Sequence, residues 1–232
     1  MVSPVEIARR QLTLVLDRIY SLPVVVLMPH SRCNCRCVMC DIWKANNNGR
    51  EITPDELAPH IEKFREMNVE QVVLSGGEPL MHSNLWALCE MLRDLDIHLT
   101  LLSTGLLLDR YAAAVVERCD EVIVSLDGSR AVHNDIRRIP RAYERLEDGV
   151  RALKAEDPSF RVTALCVLQR RNYADLPEII KAARAIGLDQ ISFLAADVTS
   201  TAFNRPEGWD VERRSDEALS PEDVEEFREV VE

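Results

Sequence analysis

The sequence predicts an α/β protein built on a parallel sheet, and three observations carry that reading. Apolar strand-like runs alternate strictly with segments of helical period, joined by short connections. Such alternation produces parallel strands linked by crossover helices. The runs are nearly continuous in apolar residues, as strands covered on both faces are. The unusual segments each follow a strand directly: Cys33 to Cys40, Gly76-Gly77-Glu78, Ser103-Thr104-Gly105 and Asp127-Gly128. In parallel α/β folds, functional groups gather at that carboxyl rim. Six strands are expected, and the pattern allows either an open twisted sheet or a barrel.

Residues 3–20 read as an amphipathic helix, with Ile7, Leu12, Val15, Leu16 and Ile19 on one face. Pro23 to Met28 reads as the first strand. Thr53-Pro54-Asp55-Glu56 starts a helix: Thr53 caps, Pro54 fits the first helical position and Glu56 completes a capping box. That helix runs to about Met67. The second strand is Gln71 to Leu74, and a helix near Asn84 to Asp94 follows. Strand Ile97 to Leu102 precedes a helix at Leu108 to Arg118, and strand Glu121 to Leu126 precedes a helix at Arg141 to Ala155. Strand Arg161 to Leu168 and a helix at Leu176 to Ala185, closed by Gly187, lead to strand Gln190 to Leu194. Residues 197–219 show no period and read as a loop over the rim. A last helix starts at Ser220-Pro221-Glu222-Asp223, capped by Ser220. Three regions follow: an N-terminal helix (1–22), a core (23–196), and a C-terminal loop and helix (197–232).

The bulk composition narrows the function classes. With 232 residues, 47% of them hydrophobic, one sizeable core is expected. A net charge of −11 argues against a nucleic-acid binder, because phosphate contacts need clustered Lys and Arg. The apolar run Leu22 to Met28 is too short to span a bilayer. Charges at Glu6, Arg9, Arg10, Asp17 and Arg18 interrupt the N-terminus, unlike a signal peptide. A cytoplasmic protein is expected, in which the seven cysteines are thiols or metal ligands rather than disulfides.

Cys33-x3-Cys37-x2-Cys40 is the densest chemical signal. Thiolates so close together suit a soft metal centre, and three ligands leave one metal position open. Cys33, Cys35, Cys37 and Cys40 together offer the alternative of a four-thiolate zinc site, although such sites usually draw two separated pairs. Cys89, Cys119 and Cys166 lie inside helices or strands and read as buried small hydrophobes.

With Met39 before the last cysteine, and with Gly76-Gly77-Glu78-Pro79 after the second strand, this motif resembles the signature of the radical S-adenosylmethionine (radical SAM) enzymes. Ser125-Leu126-Asp127-Gly128 followed by His133-Asn134-Asp135-Ile136-Arg137 is similar to the SPASM and twitch subset. The resemblance covers about residues 23–196. It implies a partial (β/α)6 barrel and one 4Fe–4S cluster on Cys33, Cys37 and Cys40, with S-adenosylmethionine at the remaining iron. One-electron cleavage would yield a 5′-deoxyadenosyl radical that takes hydrogen from a peptide, sugar or small metabolite. The reaction type (oxidoreductase, epimerase or maturase) is left open, and an electron donor such as flavodoxin or ferredoxin is implied.

The resemblance also implies roles. Met39 lies beside the adenine. Gly76 and Gly77 let backbone approach the ligand, and Glu78 accepts from the ammonium group. Thr104 makes a cofactor contact, next to Gly105 where the family often has asparagine. Ser125 bonds the ribose or the methionine carboxylate, and Arg137 clamps that carboxylate, unless it pairs with Asp135 or Glu144. Cys35 is a bystander, exposed beside the cluster and redox-sensitive. His30 and His133 receive no role, and no acid–base residue is identified. No cysteine follows Cys166, so auxiliary clusters are not expected. The chain stops at Val230-Val231-Glu232 with no helix-end signal, which leaves open a shortened version of a longer protein. The polar stretch Asp197, Thr199, Ser200, Asn204, Arg205 suggests a hydroxylated or amide-bearing substrate. The competing reading is a non-catalytic iron–sulfur or zinc-binding partner protein.

Overall fold

The computed structural model describes residues 4–47 and 49–231. Six strands form one parallel sheet in sequential order: β1 (Val24–Leu27), β2 (Gln71–Leu74), β3 (His98–Ser103), β4 (Glu121–Ser125), β5 (Arg161–Leu168) and β6 (Gln190–Ala195). Each strand pairs with the next, from Val24 opposite Gln71 at one edge to Leu168 opposite Ala195 at the other. β1 and β6 form the two edges of the sheet, so the sheet stays open. Their alternate residues Val24, Val26 and Leu194 are exposed along that opening.

Crossover helices cover the outer face. They are α2 (Pro54–Glu66), α3 (Leu85–Arg93), α4 (Leu108–Arg118), α5 (Arg130–Arg137), α6 (Ala142–Glu156) and α7 (Leu176–Ala185). The core between sheet and helices is aliphatic, with Val72, Leu88, Leu99, Val122, Leu146 and Val162 fully buried. α2 begins as the sequence requires. Thr53 Oγ1 accepts the Glu56 N–H at 3.2 Å, and the Glu56 carboxylate accepts the Thr53 N–H at 2.9 Å.

Both termini depart from expectation. The first helix, α1 (Pro4–Leu16), ends before residue 20, where Asp17 turns left-handed at φ 49°. Its expected start at residue 3 lies outside the described residues. Ile7, Leu12, Val15, Leu16 and Ile19 are exposed, because α1 docks through polar contacts instead. Buried Glu6 takes Ser21 and Arg10, and Arg10 reaches Glu70 at 3.3 Å. In place of an unbroken loop over 197–219, Asp210 caps α8 (Val211–Glu217) by accepting the Arg213 N–H. The last helix is α9 (Pro221–Val231), capped reciprocally by Ser220 and Asp223. The chain's final residue, Glu232, lies outside the described residues. No described helix is long and apolar enough to cross a membrane.

Candidate cofactor site at the carboxyl rim

The cysteine loop leaves β1 and is fastened by three distant segments. From β2, the Gly77 N–H donates to His30 O (3.3 Å) and the Glu78 N–H to Arg32 O (2.8 Å). From the C-terminal end of α5, Arg137 O and Ile136 O accept the N–H groups of Arg36 and Val38 at 3.1 and 3.0 Å. From the segment after β6, Arg205 and Arg213 donate to the carbonyls of Met39 and Val38, each at 3.2 Å.

Gly76 and Gly77 make the first of these joints possible. A Cβ on Gly77 would lie 2.0 Å from Arg32 O, and one on Gly76 2.5 Å from His30 O, with Gly76 held at φ +113°. The close approach required of these glycines is thus to the chain's own backbone, and both also face the cavity.

A cavity of about 340 Å³ opens at this rim. Cys33, Cys37, Cys40, Met39, Gly76, Gly77, Thr104, Ser125 and Arg137 all line it. Each of the three sulfurs accepts one N–H: Cys33 Sγ from the Cys35 backbone (3.5 Å), Cys37 Sγ from Arg137 (3.4 Å) and Cys40 Sγ from the Ile42 backbone (3.5 Å). Such donors favour the thiolate form that binds iron and tune a cluster's potential. Among the described residues no three His, Cys, Asp or Glu side chains converge on a single ion, and in a cluster each thiolate meets its own iron. The three cysteines share one cavity wall and each has an N–H donor, which suits the thiolate ligands of a cluster.

Cys35 differs from its neighbours. It is 1% exposed, packed with Val38, Ile136 and Trp209, and does not line the cavity. The expectation of an exposed thiol is overturned, because residues 136–137 and 209 close over it. Its hydrogen bond to Cys37, helped by the Arg137 charge, pulls the Cys37 thiol below its usual range against the opposing effect of burial. Burial pushes Cys33 up to about 12 and raises Cys40.

Glu78 is fully buried and does not line the cavity. Its carboxylate accepts from Thr104 N (2.7 Å), Thr104 Oγ1 (2.6 Å), Ser103 Oγ (3.0 Å) and Leu80 N (3.2 Å). Burial raises its pKa against these donors. These contacts tie Glu78 to the end of β3 and to Thr104. Ser125 sits on the cavity wall at the end of β4.

Arg137 is buried and pairs with neither Asp135 nor Glu144. Its guanidinium forms an ion pair with Asp127, which is itself fully buried. Asp127 further ties the rim together. Its N–H donates to His133 Nδ1 (3.1 Å), its Oδ1 accepts the Val167 N–H (2.9 Å), and its carbonyl accepts from Asn172 (2.9 Å). His133 therefore has a structural partner.

A second cluster went unread in the sequence. Asp41, next to Cys40, accepts from Trp209 Nε1 (2.9 Å) and from both Nη atoms of Arg213 (3.0 and 2.8 Å). Trp209 lies between two guanidinium groups, with Arg205 3.9 Å and Arg213 4.1 Å from its ring centroid. An Asp directly after the cysteine motif was the available signal, but nothing local pointed to partners so far along the chain.

Sulfurs held at the carboxyl rim of a parallel sheet make this a cofactor-binding α/β core. The chain belongs to the radical SAM superfamily, which it matches over residues 27–183. Enzymes of this family use a 4Fe–4S cluster and S-adenosylmethionine. The chain is similar to pre-heme d1 synthase of Dinoroseobacter shibae, 30% identical over 193 residues that cover 82% of this chain and 47% of that protein. The AdoMet-dependent heme synthase of Methanosarcina barkeri is 28% identical over 67% of this chain and 45% of its own length. The chain spans about half the length of these curated relatives. Among solved structures, Streptococcus suis SuiB bound to S-adenosylmethionine aligns at a TM-score of 0.70 and 14% identity, over 97% of this chain and 50% of that one. SuiB has also been solved bound to the precursor peptide SuiA. The likeness in fold identifies the open sheet as a partial barrel.

Proposed function

We propose that this chain is the S-adenosylmethionine-cleaving core of a radical enzyme, with residues 23–196 as the catalytic unit. The observation that carries the reading is the sorting of the cysteines. Cys33, Cys37 and Cys40 share one cavity and each accepts an N–H, while Cys35 is sealed behind them. Those three would hold the 4Fe–4S cluster. When bound, the cluster and S-adenosylmethionine supply one-electron cleavage of the cofactor and a carbon radical for hydrogen abstraction.

The chain's own residues position and shield that chemistry. Met39, Thr104 and Ser125 offer contacts to the nucleoside and methionine parts of the cofactor, along with the backbone of Gly76 and Gly77. Arg137 steadies Cys37, and its Nε is buried with no hydrogen-bond partner among the described residues. Glu78 holds Thr104 in place from behind. The apolar wall formed by Ile123, Leu165 and Val167 excludes water, which protects a carbon radical from side reactions. The electron comes from an external one-electron donor such as flavodoxin or ferredoxin. The substrate is a peptide, sugar or small metabolite, and the relatives named for heme synthesis add tetrapyrroles to that range.

Anaerobic reconstitution with iron, sulfide, S-adenosylmethionine and a strong reductant tests this. 5′-Deoxyadenosine should accumulate, and Cys37→Ala should abolish both the cluster absorbance and the product. A fully loaded cluster that never yields 5′-deoxyadenosine would overturn the catalytic reading.

A further inference from the structure

Arg205 differs from the other arginines around this site. Arg137 has Asp127 and Arg213 has Asp41. Arg205 is 3% exposed and on the cavity wall, yet among the described residues no carboxylate pairs with it. It stacks on Trp209, donates to Asp197 O (2.7 Å) and Met39 O (3.2 Å), and its Nε is buried with no hydrogen-bond partner among the described residues. Hydrogen bonds from Ser200, helped by the Arg205 charge, hold the Asp197 carboxyl below the usual range, but Arg205 forms no close ion pair with Asp197. Its carboxylate is turned onto Thr199 and Ser200 within its own loop.

A guanidinium stays protonated when buried. Two carbonyls and an aromatic face offset only part of the cost of removing that charge from water. Nη1 and Nη2 each give one N–H to a carbonyl and keep a second, and paired guanidinium N–H groups form a fork that suits a carboxylate. The adjoining wall, made of Leu165, Val167, Leu194 and Phe203, is apolar. Apolar pockets with a few placed polar groups fix a ligand's orientation through those groups. A doubly charged phosphate would leave one charge unmatched against this single cation.

We infer that Arg205 takes a carboxylate of the substrate, and that the substrate is an apolar acid. This differs from the hydroxylated or amide-bearing molecule suggested by the bare sequence, because Asp197 and Ser200 spend their side-chain polar groups on each other and Thr199 gives Asp197 its backbone N–H. The inference rests on the cavity being the reaction chamber of the proposed radical enzyme.

The test uses the reconstituted protein saturated with S-adenosylmethionine. Calorimetric titrations compare octanoate with octanamide and 3-phenylpropanoate with its amide, at matched ionic strength. The acids should bind at least about tenfold more tightly than their amides, each tenfold being about 1.4 kcal/mol. Arg205→Met should erase that preference, and Arg205→Lys, which keeps charge but loses the fork, should retain part of it. Iron and sulfide content and thermal melts establish that each variant is assembled. If Arg205→Met does not assemble, the wild-type and Arg205→Lys comparisons decide. Acids and amides binding alike to the wild type, or a preference that survives in Arg205→Met, would overturn the inference. So would a tenfold loss of S-adenosylmethionine affinity in Arg205→Met, which would assign Arg205 to the cofactor's own carboxylate. Wild-type protein that makes 5′-deoxyadenosine yet shows no acid preference sinks this inference and leaves the radical reading intact.

Discussion

The Arg137 guanidinium lies 3.4 Å from Cys37 Sγ, across 100 residues of sequence. The same side chain forms a buried ion pair with Asp127. Arg137→Met leaves that carboxylate buried and unmatched, which typically costs about 3–5 kcal/mol. The double variant Asp127→Asn with Arg137→Met should recover a large part of this loss. Urea unfolding of the apoprotein measures both. Equal stabilities for the single and double variants would show that the pair is not the coupled unit described.

Gly77→Ala places a methyl group where Arg32 O already lies. Overpacking of this kind costs about 1–3 kcal/mol or more, and here the strain falls on the cysteine loop. Iron incorporation should drop severalfold. Gly49→Ala is the control, since nothing lies within 4 Å of a Cβ there. Matching iron content in the two variants would refute the close-approach role of Gly77.

Trp209→Ala removes the ring held between Arg205 and Arg213 and the N–H donor to Asp41. Removing a buried tryptophan costs about 3–5 kcal/mol. Protease cleavage within residues 197–217 should rise by at least tenfold, and the reconstituted cluster should bleach faster in air. Trp86→Ala, on the outer face, should leave the bleaching rate unchanged.

His82 and His133 are buried, and Nδ1 of each accepts a backbone N–H, from Asn84 (3.0 Å) and Asp127 (3.1 Å) respectively. Burial holds His82 below 6.5, and burial together with the Arg137 charge holds His133 well below it. Both are neutral in the folded protein and take up protons on unfolding under mild acid. Their contribution is intact above about pH 6.5 and is lost as pH falls from there toward the lowered folded values. The urea midpoint should decline between about pH 8 and pH 5.5, and His133→Asn should flatten the decline. A wild-type midpoint that does not move over this range contradicts the assignment.

Strand positions were legible because continuous Val, Leu and Ile runs have few other uses. β2, β5, α4 and α7 begin and end where the pattern placed them. α5 and α8 were not legible, being eight and seven residues long with few apolar positions. Short helices of that kind depend on tertiary partners, and α5 finds them in Asp127 and the cysteine loop. The rim position of the cysteines and glycines followed from strand order, whereas the ion pairs did not. Asp135 and Glu144 were near Arg137 in sequence, but Asp127 meets it because β4 ends where α5 turns back. The contacts of Asp41 with Arg213 and Trp209 span 172 and 168 residues, beyond any local signal.

That span also sets a timetable for a growing chain. Asp41 leaves the ribosome 172 residues ahead of Arg213, and synthesis runs at roughly 5–20 residues per second. For about 9–35 s the three thiols exist without the segment that finally covers their loop. Iron delivered in that interval meets a cysteine loop that Arg213 and Trp209 do not yet fasten.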